Sequence, residues 1–386
     1  MKILTSYYEV LGVGPNAEDE TLRKAYRRLA RKHHPDVSRD PRAHENMARI
    51  NEAFETLIDP GRRSEYDAAL SGEGQSSERA KPRKPMVVRL IKRLNGHKTP
   101  VYAAVFAPDT GQLITCGFDN ELLWWDEQGE IQRRSKIDQG VVATMRAFSL
   151  DRVAVAGSAE NQVSFARLDE GRVEAWRTAQ EEWVGPVAIS PDGLTLATGS
   201  VHHTVSAIDT ETGEARFRHA WHDGAVMSVA WSYDGRILAS GGADALIYLA
   251  DGETGVRKGV LRQVRSAVTA LAFSPDSKFV AAACVDLSIR IFSVADGKLQ
   301  KMMFGHTKAV ESLSFHPNSW LFASGSRDGT VGLWNAAKGI GNVRIEASSR
   351  PIAAVAFSYD GTRLAAGGQD KTVRLWEVSV KDPDPE

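Results

Sequence analysis

The chain has 386 residues, of which 42% are hydrophobic and 25% charged, with a formal net charge of −1. That is apolar material for a sizeable core in more than one typical domain, and the balance of 48 basic against 49 acidic residues argues against nucleic acid as a partner. No run of about 18 apolar residues offers a membrane helix, the first ten residues lack the apolar core of a secretory signal, and Cys116 and Cys284 stand far apart without a CxxC pair, so neither a disulfide framework nor a structural zinc site is indicated. A cytoplasmic location is expected, with both cysteines as buried thiols in strands.

Tyr7-Tyr8-Glu9-Val10-Leu11-Gly12 predicts one or two apolar helical turns. A second helix follows, with Asn16 as N-cap, acids at Glu18, Asp19 and Glu20 in the first turn, and Leu22, Tyr26 and Leu29 as its apolar stripe. Its other faces carry Arg23, Lys24, Arg27, Arg28, Arg31 and Lys32, which make it a basic bar. Pro35 fixes its own φ, donates no N–H and pushes His34 out of the α region, so His34-Pro35-Asp36 is an exposed corner at the helix end. Met47, Ile50, Phe54 and Leu57 form a second stripe that packs antiparallel on the first, and Asp59-Pro60-Gly61 opens a further helix.

In this order and spacing, these motifs over roughly residues 5–70 resemble the J-domain of the DnaJ family. The resemblance implies docking on a DnaK-type chaperone and triggering of its ATP hydrolysis. It carries His34, Pro35 and Asp36 over as the triggering loop, and Arg23, Lys24, Tyr26, Arg27 and Arg28 as the docking face. Clustered cations suit a transient stimulator, because they raise the encounter rate with an acidic surface and add modest affinity. Two departures, Val37 where a basic residue is common and Met47 where an aromatic is common, imply weaker coupling or a particular partner.

Residues 71–85 are polar and aperiodic and read as a flexible linker, after which all nine tryptophans fall. Beyond it the chain repeats. Copies of a Phe-Ser-Pro-Asp-Gly phrase begin at Phe106, Phe148, Ile189, Trp231, Phe273, Phe315 and Phe357, at offsets of 42 residues with a single 41. Trp125, Ala166, Ile208, Ala250, Phe292, Trp334 and Trp376 follow the same period, and Gly96-His97, Gly305-His306 and Trp125-Asp126 supply further signatures. This resembles the WD-repeat β-propeller. The expected architecture is multi-domain: a small all-α J-domain (1–70), the linker (71–85), an all-β seven-bladed propeller (86–380) and a tail (381–386). The strand from Val87 to Leu94 precedes the first blade, so it completes the last and closes the ring.

His306, Ser324 and Asp328 invite a hydrolase reading, but the same types recur at whole periods as His222, Ser240 and Asp244, and with tryptophan as His97, Thr115, Asp119 and Trp125 beside His306, Ser324, Asp328 and Trp334. An enzyme needs its constellation once. In the resembled family these residues are structural tetrads, and buried polar groups of this kind require mutual satisfaction. The other blades, with Glu160 and His202 at two of the Asp positions, are expected to depend more on apolar packing. His202-His203 reads as a turn rather than a metal pair. No catalytic residue, metal or cofactor is indicated.

The resemblance places Tyr102, Thr144, Met227, Thr269 and Glu311 near the starts of inner strands, and Phe118, Val201, Arg327 and Gln369 in the neighbouring loops. Aromatics and arginine dominate binding hot spots, so Tyr102, Phe118 and Arg327 are the candidate contacts for an unidentified protein or peptide. The expected function is a J-domain co-chaperone with the propeller as client- or partner-binding adaptor; the alternative is a WD-repeat scaffold with a weakened J-domain.

Overall fold

A computed structural model describes residues 7–33, 43–58, 63, 67, 86–119, 121–137, 142–159, 161–169, 172–179 and 183–379. The expectations for His34, Pro35, Asp36, Val37, Glu160, the linker and the tail lie outside these residues. The chain divides into two compact units, residues 1–84 and 85–386.

In the first unit, α1 (Tyr7–Leu11), α2 (Asp19–His33) and α3 (Ala43–Ile58) bury Tyr8, Leu11, Leu22, Ala25, Ile50, Ala53, Phe54 and Leu57 between them. The 3- and 4-residue spacing of these positions puts each set on one helix face, so association removes all of them from water. Helix α2 starts later than the Asn16 cap predicts: the Ala17 N–H bonds the Gly14 carbonyl at 3.0 Å in a preceding turn, and the first helical residue is Asp19. Beyond α3, Arg63 donates to the Tyr8 hydroxyl at 3.0 Å and to the Pro15 carbonyl at 2.9 Å, while Tyr8 donates to Asp67 at 2.7 Å. These bonds tie Arg63 and Asp67 to Tyr8 of α1.

The second unit is seven four-stranded antiparallel sheets. Six are consecutive in the chain; the seventh joins Ile352–Phe357, Arg363–Gly368 and Thr372–Ser379 to the early strand Val87–Asn95, which pairs with Thr372–Ser379 from Val87↔Ser379 to Asn95↔Thr372. The ring is thereby closed by chain segments from both ends of the propeller, with Ile91 as a bulge. The inner strands Val101–Phe106, Val142–Ala147, Val184–Ile189, Val226–Trp231, Val268–Phe273, Val310–Phe315 and Ile352–Phe357 each contact the next, and the last contacts the first, so they surround one axis. Alternate side chains of each sheet face opposite neighbours, and the core consists of the layers between blades, with Phe106, Trp124, Phe292 and Phe322 fully buried in them. Each such aromatic contributes roughly 2–3 kcal/mol of apolar burial.

Blade two departs from the expected register. The last ladder pair of the first two strands is Phe106↔Leu113 in blade one and Ile189↔Leu196 in blade three, but Ala147↔Val153 in blade two. Ala147, not Phe148, therefore occupies the inner-strand end. The cause is the turn: Phe148 N–H bonds the Arg152 carbonyl, four residues on, where Ser190 N–H bonds Thr195, five residues on. One residue fewer in the turn moves each side chain before it to the opposite face. The third strand follows suit, with Val153 opposite Leu168 rather than Ala166. The same shift makes Ala143, not Thr144, the bulged residue at the strand start, equivalent to Tyr102 and Met227.

Candidate functional sites

On α2 the side chains of Arg23, Lys24, Arg27 and Arg28 are exposed, because Leu22, Ala25, Tyr26 and Leu29 take the core side of the helix. Lys24 pairs with Glu20 one turn earlier at 2.9 Å, an exposed pair worth a few tenths of a kcal/mol. Arg23, Arg27 and Arg28 have no ion pair or hydrogen bond among the described residues. Tyr26 stacks on Phe54 with ring centroids 4.3 Å apart, so it anchors the basic face to α3 while keeping part of its ring accessible.

The recurring polar residues of the propeller are buried networks with a defined hydrogen-bond direction. In blade six, Trp334 Nε1–H donates to Ser324 Oγ at 2.7 Å, and Ser324 Oγ lies 2.6 Å from His306 Nε2. Asp328 is 3.0 Å from Nδ1 and also accepts from Thr307 N–H at 2.9 Å and Thr330 O–H at 2.7 Å. A carboxylate only accepts, so Nδ1 carries the proton and Ser324 donates to Nε2. Although burial alone pushes the Asp328 carboxyl up, the hydrogen bonds it accepts from His306, Thr330 and Thr307 hold it well below the usual carboxylate range. Ser324 has no solvent-accessible surface, and its oxygen already serves tryptophan and histidine, which removes it as a nucleophile.

Blade four repeats the network without tryptophan: His222 Nδ1 lies 3.0 Å from both oxygens of Asp244, and Nε2 lies 2.8 Å from Ser240 Oγ. Burial lowers the His222 pKa against the opposing pull of Asp244. In blade one the chain is shorter than expected. Trp125 donates to Thr115 Oγ1 at 2.8 Å and Thr115 meets His97 Nε2 at 2.7 Å, but the His97–Asp119 link is not formed. Asp119 caps the Glu121 N–H at 3.2 Å and its own N–H bonds Thr99 Oγ1 at 3.1 Å; the buried His97 Nδ1 has no partner among the described residues.

Blades five and seven correct the expectation of mainly apolar packing. Arg290, almost fully buried, bonds Asp286 at 2.6 and 3.2 Å and also Ser288 Oγ. In blade seven Arg374 bonds Asp370 at 2.5 Å, and Asp370 accepts from Ser348 Oγ at 2.7 Å. The signal was present as Asp286-x-Ser288-x-Arg290 and Asp370-x-Thr372-x-Arg374, in each case an acid in the turn before a strand, a hydroxyl at the strand's start and a guanidinium two residues on. His202 and His203 occupy the turn of blade three, His203 at φ 77°. Among the described residues no group of three potential metal ligands occurs.

At the end of the propeller where inner strands begin, Tyr102 and Phe118 face one another with centroids 6.1 Å apart, and Phe118 is half exposed. Arg327 is engaged by Glu311. Val201 and Met227, placed at this end by the sequence, are exposed, and so are Trp183 and Val285, which the sequence reading missed; the four come from blades three to five. Backbone bonds from Val201 N–H to Trp183 O and from Val285 N–H to Ala267 O, at 3.0 and 2.9 Å, hold these turns beside the inner-strand starts. A cleft of about 540 Å³ on the flank of blade one includes Arg133 and Arg134, but these are taken by Asp151 at 3.1 Å and Glu121 at 2.8 Å.

Comparison with known proteins assigns both units. The family model described as DnaJ domain matches residues 6–67, and that described as WD domain, G-beta repeat, matches 88–126, 215–251, 257–293, 297–335 and 342–377. Blade two and the first three strands of blade three fall between these matches, yet both blades have the same four-stranded form. Chaperone protein DnaJ 1 of Aquifex aeolicus is 57% identical over 65 residues, 17% of this chain and 18% of that protein. The chaperone proteins DnaJ of Carboxydothermus hydrogenoformans and Dictyoglomus thermophilum are 58% and 54% identical over 62 and 61 residues, in each case 16% of both chains. The chain thus spans less than a fifth of the length of these relatives. The two matched domain types are regulatory and scaffolding modules rather than catalytic ones, and the helical unit with its basic α2 and the closed ring of blades make the chain a DnaJ-domain protein in which the J-domain is followed by a seven-bladed WD-repeat β-propeller.

Proposed function

We propose that the chain is a cytoplasmic J-domain co-chaperone, not itself an enzyme, which stimulates ATP hydrolysis by a DnaK-type chaperone while its propeller binds the client or partner. The observation that carries this reading is the face of α2, where Arg23, Arg27 and Arg28 are exposed and unpaired among the described residues, within a DnaJ-domain match that also spans His34, Pro35 and Asp36. Free guanidinium groups on a rigid helix retain their whole field for an acidic partner surface, so docking is fast and salt-sensitive. On the propeller, the apolar surface of Trp183, Val201, Met227 and Val285 supports a protein or peptide as occupant, since exposed large side chains on one rigid end supply anchors for binding.

Single-turnover ATP hydrolysis by the cognate DnaK-type chaperone tests the first half. The wild-type chain is expected to stimulate turnover and His34→Gln to abolish the effect. No stimulation by either protein would defeat the proposal and favour the scaffold with a weakened J-domain, for which Val37 is the specific sequence observation. Fractionation of cells expressing the chain tests its location.

A further inference from the structure

At the end of the propeller where inner strands begin, hydrogen bonds join the turns of blades six, seven and one into one continuous rim. Within blade six, Arg327 N–H bonds the Ala309 carbonyl at 2.9 Å and ties the turn after the second strand to the loop holding Lys308. The Gly329 carbonyl of that turn accepts from Ser348 N–H at 2.9 Å, which brings in the blade-seven loop holding Arg350. Ser348 Oγ donates to Asp370 at 2.7 Å, beside Lys371, and Thr372 Oγ1 donates to Asn95 at 3.1 Å, where the chain enters the blade-one loop holding Lys98. That loop is fastened in turn to Phe118, whose N–H bonds the Pro100 carbonyl at 2.8 Å.

Lys308, Arg350, Lys371 and Lys98 are all exposed, and their side chains make no ion pair or hydrogen bond among the described residues. The carboxylates along the rim are in contrast engaged: Glu311 by Arg327, Asp328 by His306, Glu346 by Arg344, Asp370 by Arg374 and Glu121 by Arg134. Among the described residues of the rim, only Asp119 is a carboxylate without a cationic partner. Four uncompensated positive charges therefore stand against one negative charge across three successive blades, in a chain whose net charge is −1. At the blade-one end of this arc the half-exposed Phe118 faces Tyr102, with ring centroids 6.1 Å apart, and supplies an apolar seat.

We propose that this arc binds an acidic segment of a partner protein, with carboxylates on Lys308, Arg350, Lys371 and Lys98 and an apolar side chain on Phe118. The proposal rests on the reading of the propeller as a protein-binding module and names the chemistry of its partner. Exposed cations without an intramolecular partner give up no existing bond when a carboxylate docks, and complementary charge speeds encounter and fixes register. The turns that carry them are already pinned to one another, so little order is lost on binding. Nucleic acid is the weaker match, because four cations spread over three blades of a chain with no net positive charge supply few phosphate contacts and no broad positive field.

Fluorescence anisotropy on the full chain tests this with the fluorescein-labelled peptide Glu-Glu-Leu-Phe-Glu-Glu, its neutral counterpart Gln-Gln-Leu-Phe-Gln-Gln, and an oligothymidylate of the same charge as the acidic peptide. The acidic peptide is expected to bind with a dissociation constant on the order of 100 μM at low salt, the neutral peptide about tenfold more weakly, and the oligothymidylate more weakly than the acidic peptide. Lys308→Glu combined with Arg350→Glu should weaken the acidic peptide about tenfold or more, with an unchanged denaturation midpoint because both side chains lie in solvent. Phe118→Ala should weaken both peptides. Arg27→Glu should bind the acidic peptide as wild type does, which separates this arc from the basic face of α2. Loss of binding in Arg27→Glu, equal binding of the neutral peptide, or tighter binding of the oligothymidylate would each overturn the assignment. Binding that survives the double charge reversal but is lost in Trp183→Ala would overturn the arc while leaving the propeller a protein-binding module. Absence of binding of both peptides at about 1 mM would overturn the arc and count against the protein-binding reading as well.

Discussion

Replacing Asp328 by alanine removes the shared acceptor of the His306 Nδ1–H, the Thr307 N–H and the Thr330 O–H. The Asp328 and His306 side chains are 3% and 2% exposed, so water has little access to the orphaned donors. Each unsatisfied buried donor costs about 1–3 kcal/mol, so three of them cost about 3 kcal/mol or more. Thr330 lies 3.1 Å from His306 Nδ1 and can recover part of that loss, so the lower end, about 3 kcal/mol, is expected. Blade one provides the control. Asp119 stands at the same interval from its histidine but among the described residues accepts only the Glu121 N–H in its own turn, so Asp119→Ala should cost less than about 1 kcal/mol. Urea unfolding followed by tryptophan fluorescence reports on the propeller alone, because all nine tryptophans fall after the J-domain. Equal losses in the two variants, or a change below about 1 kcal/mol for Asp328→Ala, would refute the hydrogen-bond argument.

The buried His97 should make stability fall with acid. Burial, only partly offset by the negative charges of Asp119 and Glu121, lowers its pKa to about 4, against about 6.5 in an unfolded chain. The unfolded state therefore binds the extra proton between these values, and this contribution is complete above pH of about 6.5 and is lost as pH falls towards 4, by up to roughly 3 kcal/mol. Replacing His97 by glutamine should flatten the pH dependence of the urea midpoint across that window; identical slopes for variant and wild type would count against the assignment. Burial also pushes the thiols of Cys116 and Cys284 up, to about 12 and about 11. Ellman's reagent at neutral pH should leave both unreacted in the native chain and modify both in guanidinium, whereas rapid native labelling would show that the strands holding them open readily.

Much of the architecture could be read directly from the chain. The helical stripes around Leu22 and Phe54, the blade period and the closing role of the Val87 strand all depend on local rules: spacing sets which face a side chain takes, and turn chemistry sets where an element stops. The networks of blades four and six were legible for the same reason, since their residues recur at whole periods. What local pattern could not report is which of two equivalent spacings closes a bond. His97 and Asp119 have the same interval as His306 and Asp328, and both aspartates accept the N–H two residues on, yet only the second pair meets.

Arg290 and Arg374 likewise take the place of the histidine network by pairing with acids four residues away, a solution hidden by searching for histidine alone. Blade two shows the limit most sharply. A turn shorter by one residue preserves the apparent period while exchanging the faces of its inner strand, and this puts Arg146 where other blades hold small side chains. The sequence by itself determined the two domain types, the number of repeats and the residues able to form networks, because those follow from composition and short-range periodicity. Only the tertiary structure decided the register of blade two and which networks are complete, because these depend on turn geometry and on residues brought together across strands, which spacing along the chain does not report.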